Sequence, residues 1–168
     1  MDSRTLWAKE EILERVSSIV EYFNNTYSPN DQVLFAPVLQ GAIPFFSDIV
    51  KGVTFDPFVE CIGISSYKGE QQKEFNLYRM IDTKYISGKI VWLFDDIADS
   101  GNTLNYLTQL LYQRGAQDVK TCVLIKKYHC KHNIDQFGFE MGDGWLWGYG
   151  MDSPDGRGRS LKDIHCKL

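Results

Sequence analysis

Two adjacent acidic residues and a short polar segment after them are the part of the chain best suited to chemistry. Asp95 and Asp96 come first, and the segment Asp99–Thr103, with the sequence DSGNT, follows closely. Glycine lets a backbone approach a ligand, hydroxyl groups add hydrogen-bond donors, and a helix start offers unpaired backbone N–H groups. Such a segment is typical of a cradle for a phosphate monoester.

The acid pair narrows the class of ligand. Two carboxylates would repel a bare phosphate, but they suit a ligand with vicinal hydroxyls or a divalent cation beside its phosphate. A ribose 5-phosphate has this shape. The segment has neither the lysine and spacing of a Walker loop nor the G-x-G-x-x-G pattern. The same residue types also occur in a plain helix N-cap, which is worth about 1 kcal/mol, so the residues alone leave both interpretations open.

Apolar patterning predicts the elements that position this segment. Ile90–Phe94 is a run of five apolar residues, which favours a central parallel strand covered on both faces. Leucines at helical spacing then predict a helix that ends at Arg114–Gly115, and Val119–Ile125 predicts the next strand. We also predict helices over Thr5–Phe23 and Ile43–Val50, and strands over Val33–Val38 and Val59–Ser65. The polar stretch Lys68–Glu74 is predicted to be a mobile loop.

Alternating strands and helices predict an α/β fold, with a central, mostly parallel sheet flanked by helices. Ligands bind to such sheets at the carboxyl ends of strands, which is where Asp95 and Asp96 are expected. A chain of 168 residues has the usual size of one domain. Residues 1–168 are therefore expected to form a single domain.

Composition and charge exclude several classes of protein. With 43% hydrophobic and 24% charged residues, the chain is neither disordered nor fibrous. Its net charge of −4 provides no positive field for nucleic acid or anionic lipid, and no apolar run approaches the roughly 20 residues that span a bilayer. Four scattered cysteines and a charged amino terminus without a signal peptide predict a cytoplasmic protein with reduced thiols.

One long motif resembles that of a known family. Val91–Leu104 (VWLFDDIADSGNTL) closely resembles the phosphoribosyl-pyrophosphate motif of the type I phosphoribosyltransferases, in which apolar residues precede two acids and then D-[ST]-G-x-T. Four further segments, in the same chain order, are similar to those of hypoxanthine-guanine phosphoribosyltransferases, especially bacterial ones. The family's first loop corresponds to Val38–Ala42, and the start of its flexible loop to Ser65–Tyr67. The strand ending in a purine-binding lysine corresponds to Leu124–Lys127, and the base-binding hood to Gly138–Phe139 with Trp145–Asp152.

The resemblance implies the type I phosphoribosyltransferase fold, with a small hood formed by the amino-terminal segment and residues of about 136–168. It also implies that Asp95 and Asp96 hold the ribose hydroxyls, directly or through hydrated Mg²⁺. The 5-phosphate would be cradled by Asp99, Ser100, Gly101, Asn102 and Thr103. Asp99 would be the catalytic residue as well, because the family's aspartate faces N7 of the purine and can take or share its proton.

Two loops are implied to contact the pyrophosphate. Backbone N–H groups would come from Leu39, Gln40 and Gly41, and the first peptide bond of this loop can be cis in the family. Many relatives carry lysine or arginine where this chain has Gln40, so a charge contact or a subunit-interface ion pair is expected to be missing. Ser66 and Tyr67 would begin a lid that excludes water during turnover.

Charged residues near the carboxyl terminus complete the implied contacts with pyrophosphate and metal. Arg159 would supply a cation to the pyrophosphate, and Arg157 is the alternative because the flanking glycines leave the alignment uncertain by one residue. Asp152 would hold a second Mg²⁺ through ordered water, although an aspartate before Ser153 and Pro154 is also typical of a turn.

Recognition of the base is implied for Lys127, Trp145, Leu146 and Asp152. A lysine donates to the oxygen at C6, which aminopurines lack, so it favours hypoxanthine or guanine over adenine. Lys126 is the competing lysine. The indole of Trp145 would stack on the purine, and the backbone carbonyl of Leu146 would meet the edge of the base.

The resemblance implies a magnesium-dependent purine-salvage transferase that joins hypoxanthine or guanine to phosphoribosyl pyrophosphate, giving IMP or GMP and pyrophosphate. Its partners would be these small molecules, without nucleic acid or membrane, and it would form a homodimer or homotetramer. Two alternatives stay open: a regulator of the same fold that binds nucleic acid, and transfer to another base such as xanthine. His129, Cys130 and His132 fit no common zinc spacing, so no zinc site is predicted there.

Overall fold

The structure is a computed structural model that describes residues 4–68 and 73–167, with residues 66–68 and 73–74 described by their backbone only. Strands and helices alternate along most of the chain. In order they are β1 (Arg4–Trp7), α1 (Lys9–Thr26), β2 (Val33–Leu39), α2 (Ile43–Gly52), β3 (Phe58–Val59), β4 (Ile62–Lys68), β5 (Lys73–Arg79), α3 (Thr83–Ile86), β6 (Ile90–Ala98), α4 (Asn102–Gln113), β7 (Asp118–Lys127), β8 (Gln136–Met141), β9 (Trp145–Trp147) and β10 (Ile164–Lys167).

The large sheet has the strand order β5-β4-β2-β6-β7-β8, and the short β3 pairs with β2. Its pairs are parallel except for β4 and β5, which form an antiparallel hairpin. The predicted α/β fold with a mostly parallel sheet is confirmed. Strand β6 lies between β2 and β7, with Pro37 opposite Phe94 and Asp95 opposite Val123. The acid pair therefore lies in the middle of the sheet, at the carboxyl end of its central strand.

Apolar residues on both faces of the central strands explain why helices cover the sheet on two sides. Phe35, Trp92 and Phe94 pack with α1 and α2 on one face. Leu34, Val91 and Leu93 pack with the leucines of α4 on the other face. Because successive side chains of a strand point to opposite faces, one continuous apolar run supplies both cores.

The amino terminus differs from the prediction. The helix expected from Thr5 begins at Lys9, and Arg4–Trp7 instead forms strand β1, which pairs with β10. The partner of Thr5 is His165, at the other end of the chain, so local periodicity contains no signal for this strand. The buried stripe of Ile12, Val16, Ile19 and Phe23 on α1 is present as predicted.

A separate antiparallel sheet of order β1-β10-β9 corresponds to the expected hood. It draws on less of the 136–168 segment than the sequence predicted. Strand β8, with Gly138 and Phe139, pairs in parallel with β7 and extends the large sheet. The hood sheet therefore consists of the amino-terminal strand, β9 and β10.

The region of the expected lid also differs from the prediction in detail. The strand predicted over Val59–Ser65 is divided into β3 and β4, and β4 continues to Lys68. Both ends of the predicted loop Lys68–Glu74 are strand, since Lys68 ends β4 and Lys73 and Glu74 begin β5. Residues 69–72 lie outside the described residues. In the part of the chain that is described, no helix has both the length and the apolar character needed to cross a membrane.

Candidate active site

The acid pair lies at the end of β6, which continues three residues beyond Asp95 to Ala98. Asp95 is buried, and its Oδ1 accepts a hydrogen bond from the Asp96 backbone N–H at 2.9 Å. Asp96 Oδ1 accepts from the Ile97 N–H at 2.8 Å. Burial raises the pKa of the Asp95 carboxyl well above its ordinary value, and the nearby charge of Asp96 adds to the shift. Both carboxylates are thus anchored to backbone N–H groups at the end of β6.

The polar segment after β6 forms the turn into α4, as predicted. Gly101 precedes the helix with a φ of 82°, a left-handed conformation that favours glycine. A Cβ atom there would lie 2.5 Å from the Cβ of His132, so no larger residue fits. Asn102 begins the helix, and the first turn of a helix directs unpaired N–H groups toward whatever lies before it. The geometry is that of an anion cradle.

This cradle opens into a cleft of about 610 Å³. The cleft brings together parts of the chain that are far apart in sequence: the end of β6 and its turn, the loop after β2, and the segment after β9. Of the residues predicted to bind ribose phosphate, pyrophosphate or metal, those that line it are Leu39, Gln40, Gly41, Asp95, Asp96, Asp99, Ser100, Gly101, Asn102, Thr103, Asp152 and Arg159.

The loop after β2 packs directly against the acid pair. The peptide bond between Leu39 and Gln40 is cis, as the resemblance implies. A Cβ atom at Gly41 would collide with Asp96 Oδ2 and lie 2.6 Å from its Cγ, so glycine is required for the carboxylate to sit there. The Gln40 side chain is exposed at the mouth of the cleft.

The structure separates the two candidate arginines. Arg159 lines the cleft, and its guanidinium is held by Asp152 Oδ2 at 2.8 Å and by the Gly150 carbonyl at 2.7 Å. Arg157 is exposed in a tight turn, where its backbone N–H donates to Asp155. Only Arg159 is placed to meet a ligand in the cleft.

Beside the cleft is a smaller cavity of about 260 Å³, which contains the predicted purine-binding residues. Lys127 is only 4% exposed, and its Nζ donates to the carbonyls of Gly142 and Gly144, each at 2.9 Å. Burial lowers the pKa of its ammonium, while the carboxylate of Asp99 offsets part of the shift. Lys126 points elsewhere and pairs with Glu140 at 2.7 Å.

Aromatic and backbone groups complete the wall of this cavity. Trp145 is 53% exposed, and its indole Nε1 donates to the Asp152 carbonyl at 3.2 Å. Leu146 is buried beside it on β9. Four residues line both the cleft and this cavity, so the two share one wall: Asp96, Ile97, Asp99 and Asp152.

Two further features concern the predicted lid residues and a contact that the sequence did not predict. Ser66 and Tyr67 lie on β4, but their side chains are outside the described residues. His129 contacts the carboxylate of Asp99, with Nε2 3.0 Å from Oδ1. From the sequence, His129 is of interest only as a possible metal ligand. Because 30 residues separate it from Asp99, only the packing of the two loops reveals the contact.

Comparison with known proteins places this geometry in a family. The model of the phosphoribosyl transferase domain matches residues 5–154. A hypoxanthine-guanine phosphoribosyltransferase of Aquifex aeolicus is 31% identical over 96% of this chain and 93% of the relative. The crystal structure of one from Bacillus anthracis has a TM-score of 0.87 at 27% identity, covering 100% of both chains.

A hypoxanthine phosphoribosyltransferase of Trypanosoma cruzi, solved in complex with its product IMP, has a TM-score of 0.84 at 26% identity, covering 98% of this chain and 89% of the other. The family model and the Aquifex relative each span most of the present chain. The chain belongs to the phosphoribosyltransferase family, among the hypoxanthine-guanine phosphoribosyltransferases.

Proposed function

We propose that this protein transfers the 5-phosphoribosyl group of phosphoribosyl pyrophosphate to hypoxanthine or guanine, yielding IMP or GMP and pyrophosphate for purine salvage. The observation that carries the proposal is the common wall of the two cavities. One cavity has the anion cradle and acid pair of a sugar-phosphate site, and the other has a buried lysine beside an exposed tryptophan. Two substrates bound there would meet at Asp96 and Asp99.

The ribose phosphate binds along the end of β6. The 5-phosphate accepts hydrogen bonds from backbone N–H groups of the turn Asp99–Thr103. The positive end of the α4 dipole stabilises its negative charge. Asp95 and Asp96 meet the ribose diol. Asp95 is buried and Asp96 is more accessible, and each carboxylate accepts a hydrogen bond from one ribose hydroxyl, directly or through hydrated Mg²⁺.

The residues of the cleft fit Mg²⁺ that arrives bound to the substrate. Among residues 4–68 and 73–167, no three His, Cys, Asp or Glu side chains cluster as a ready-made metal site. Mg²⁺ ordinarily takes one or two carboxylates and completes its shell with water and phosphate oxygens. Asp95 and Asp96 would hold one such ion, and Asp152 would hold a second. Bound Mg²⁺ supplies charge neutralisation for the departing pyrophosphate.

The pyrophosphate lies at the loop after β2. Leu39, Gln40 and Gly41 supply backbone N–H groups, and Arg159 supplies a positive charge across the cleft. Ser66 and Tyr67 belong to the β4–β5 hairpin next to this loop, and we assign them to a lid over the reacting atoms.

The purine lies in the smaller cavity, stacked on Trp145, with its edge toward the backbone carbonyl of Leu146. Lysine has three N–H donors, and Gly142 and Gly144 occupy two of those of Lys127. The third donates to the oxygen at C6. Asp99 accepts the proton of N7 as the base attacks the anomeric carbon, and the protein contributes mainly by aligning the two substrates.

A direct assay tests this function. The purified protein is incubated with phosphoribosyl pyrophosphate and Mg²⁺, and hypoxanthine, guanine, xanthine and adenine are supplied in separate reactions. We expect IMP and GMP with one pyrophosphate each, and adenine slower by a factor of about 10³ or more, because a site built to donate to an oxygen rejects an amine. If none of the 6-oxopurines yields a nucleotide, the proposal is refuted. Product from xanthine alone would identify the alternative base.

A further inference from the structure

The turn after β7 makes a side-chain contact with the proposed catalytic aspartate. His129 Nε2 lies 3.0 Å from Asp99 Oδ1, and on the other side of the ring Nδ1 lies 3.7 Å from Asp143 Oδ1. His129 is 51% exposed and Asp99 60% exposed, whereas Asp143 is almost fully exposed. An ionised carboxylate only accepts hydrogen bonds, so Nε2 carries the proton in the contact with Asp99.

The same turn supports the phosphate cradle at two further points. The Lys131 backbone N–H donates to the Ser100 carbonyl at 3.2 Å. His132 packs so closely on Gly101 that a Cβ atom there would have no room. Three consecutive residues of the cradle, Asp99, Ser100 and Gly101, are thus contacted by one short segment. This segment fixes the backbone of the cradle, and His129 fixes its one carboxylate.

The turn also connects Asp99 to recognition of the base. Lys127, the residue that reads the C6 oxygen, comes two residues before His129 on the same chain segment. Its ammonium is held by the carbonyls of Gly142 and Gly144, which flank Asp143. A purine seated on Lys127 therefore meets an aspartate whose orientation is set by the next turn of the same segment.

We infer that His129 is a positioning residue for the transfer reaction: its Nε2–H holds Asp99 Oδ1 and leaves Oδ2 directed at the N7 proton of the purine. This inference rests on the proposed function. It assigns His129 no contact with either substrate. A carboxylate free to rotate would spend less time in the orientation that accepts the proton, so the loss of His129 lowers the rate of the chemical step rather than substrate affinity.

The test compares three single variants in the IMP-forming assay. His129→Ala is expected to lower kcat about tenfold while the KM for phosphoribosyl pyrophosphate stays within about twofold, because only the orientation of Asp99 changes. His129→Gln is expected to recover most of kcat, because a glutamine amide places an N–H donor near the position of Nε2. Tyr128→Ala, a change to the 71% exposed neighbour in the same turn, is expected to match the unmodified protein.

The double variant separates this inference from the proposed function. Asp99→Asn is expected to lower kcat about 100-fold, and adding His129→Ala to it to change kcat less than twofold, because no carboxylate remains to be oriented. The role of His129 alone would be overturned if the kcat losses of the two single variants multiply in the double variant. It would also be overturned if His129→Ala had the same kcat as the unmodified protein. Full turnover by Asp99→Asn would overturn the catalytic role of Asp99, and the role of His129 with it. Absence of IMP formation by the unmodified protein would instead overturn the proposed function. Melting temperatures of all variants show whether each one folds.

Discussion

At the scale of single residues, the site is determined by which hydrogen-bonding groups remain for a ligand after the hydrogen bonds within the protein have formed. Lys127 is the clearest case, because two backbone carbonyls hold its ammonium in a fixed position, which leaves one of its three N–H donors for the cavity that it lines. Lys126, the preceding residue, forms a salt bridge with Glu140 instead. Two adjacent lysines of one strand point to opposite faces of the sheet, so only one of them can serve the base.

Replacing Lys127 tests this assignment. Lys127→Met keeps most of the side-chain volume and removes the donor, so kcat/KM for hypoxanthine should fall about 10- to 100-fold, the equivalent of one hydrogen bond to a charged group. Lys126→Met is the matched control and should stay within about threefold. Steady-state kinetics with hypoxanthine and guanine measure both. A large loss in the Lys126 variant together with normal activity in the Lys127 variant would reverse the assignment.

At the scale of elements, the site is made where two parallel neighbours, β2 and β6, end side by side. Pro37 pairs with Phe94, so the residues that follow them come together: the loop at Gly41 on one strand and the acid pair on the other. The loop also touches the hood, because a Cβ atom at Gly150 would collide with the Gly41 carbonyl and lie 2.7 Å from Pro44 Cδ. Gly41 is thus at the junction of the large sheet, the acid pair and the hood.

A single methyl group should disrupt this junction. In Gly41→Ala the new Cβ takes the place of Asp96 Oδ2, so the carboxylate must rotate away from the proposed ribose site. We expect turnover to fall about 100-fold or more, as for a misplaced substrate-positioning group. The melting temperature should drop by only a few degrees, because a side-chain end moves rather than the backbone. Activity within threefold of the unmodified protein would show that Asp96 is not needed where the structure places it.

Elements defined by their own patterning could be predicted from the sequence. The apolar run of β6, the leucines of α4 and the polar turn between them all lie where predicted, and with them the cradle. Elements defined by distant partners could not. Strand β1 exists because Thr5 meets His165, and the contact of His129 with Asp99 exists because two loops pack together. Hydrophobic periodicity reports only local structure, so it carries no signal for either.

At the scale of the whole molecule, the turn that supports the cradle also makes stability depend on pH. Burial lowers the pKa of His132 below its ordinary value of 6.5, and Asp135 offsets only part of the shift. The unfolded chain therefore binds a proton at this residue more readily than the folded chain does. By linkage, the free energy of unfolding decreases as pH falls through 6.5 toward the lower folded-state pKa, and the loss is complete below it.

His132→Gln should reduce this dependence. Glutamine is polar and does not titrate, so the variant should lose less thermal stability than the unmodified protein between pH 7.5 and pH 5.5. Melting temperatures recorded without ligands, at constant ionic strength, measure the difference. An equal or larger loss in the variant would show that another group causes the acid sensitivity.

The central claim is that the two adjoining cavities form one site for a ribose phosphate and a 6-oxopurine. A crystal structure of the protein with IMP tests it most directly. We predict the 5-phosphate within about 3 Å of the backbone N–H groups of Ser100–Thr103, and the C6 oxygen within about 3 Å of Lys127 Nζ. A phosphate bound away from the turn after β6, or a base outside the cavity of Lys127 and Trp145, would contradict the account.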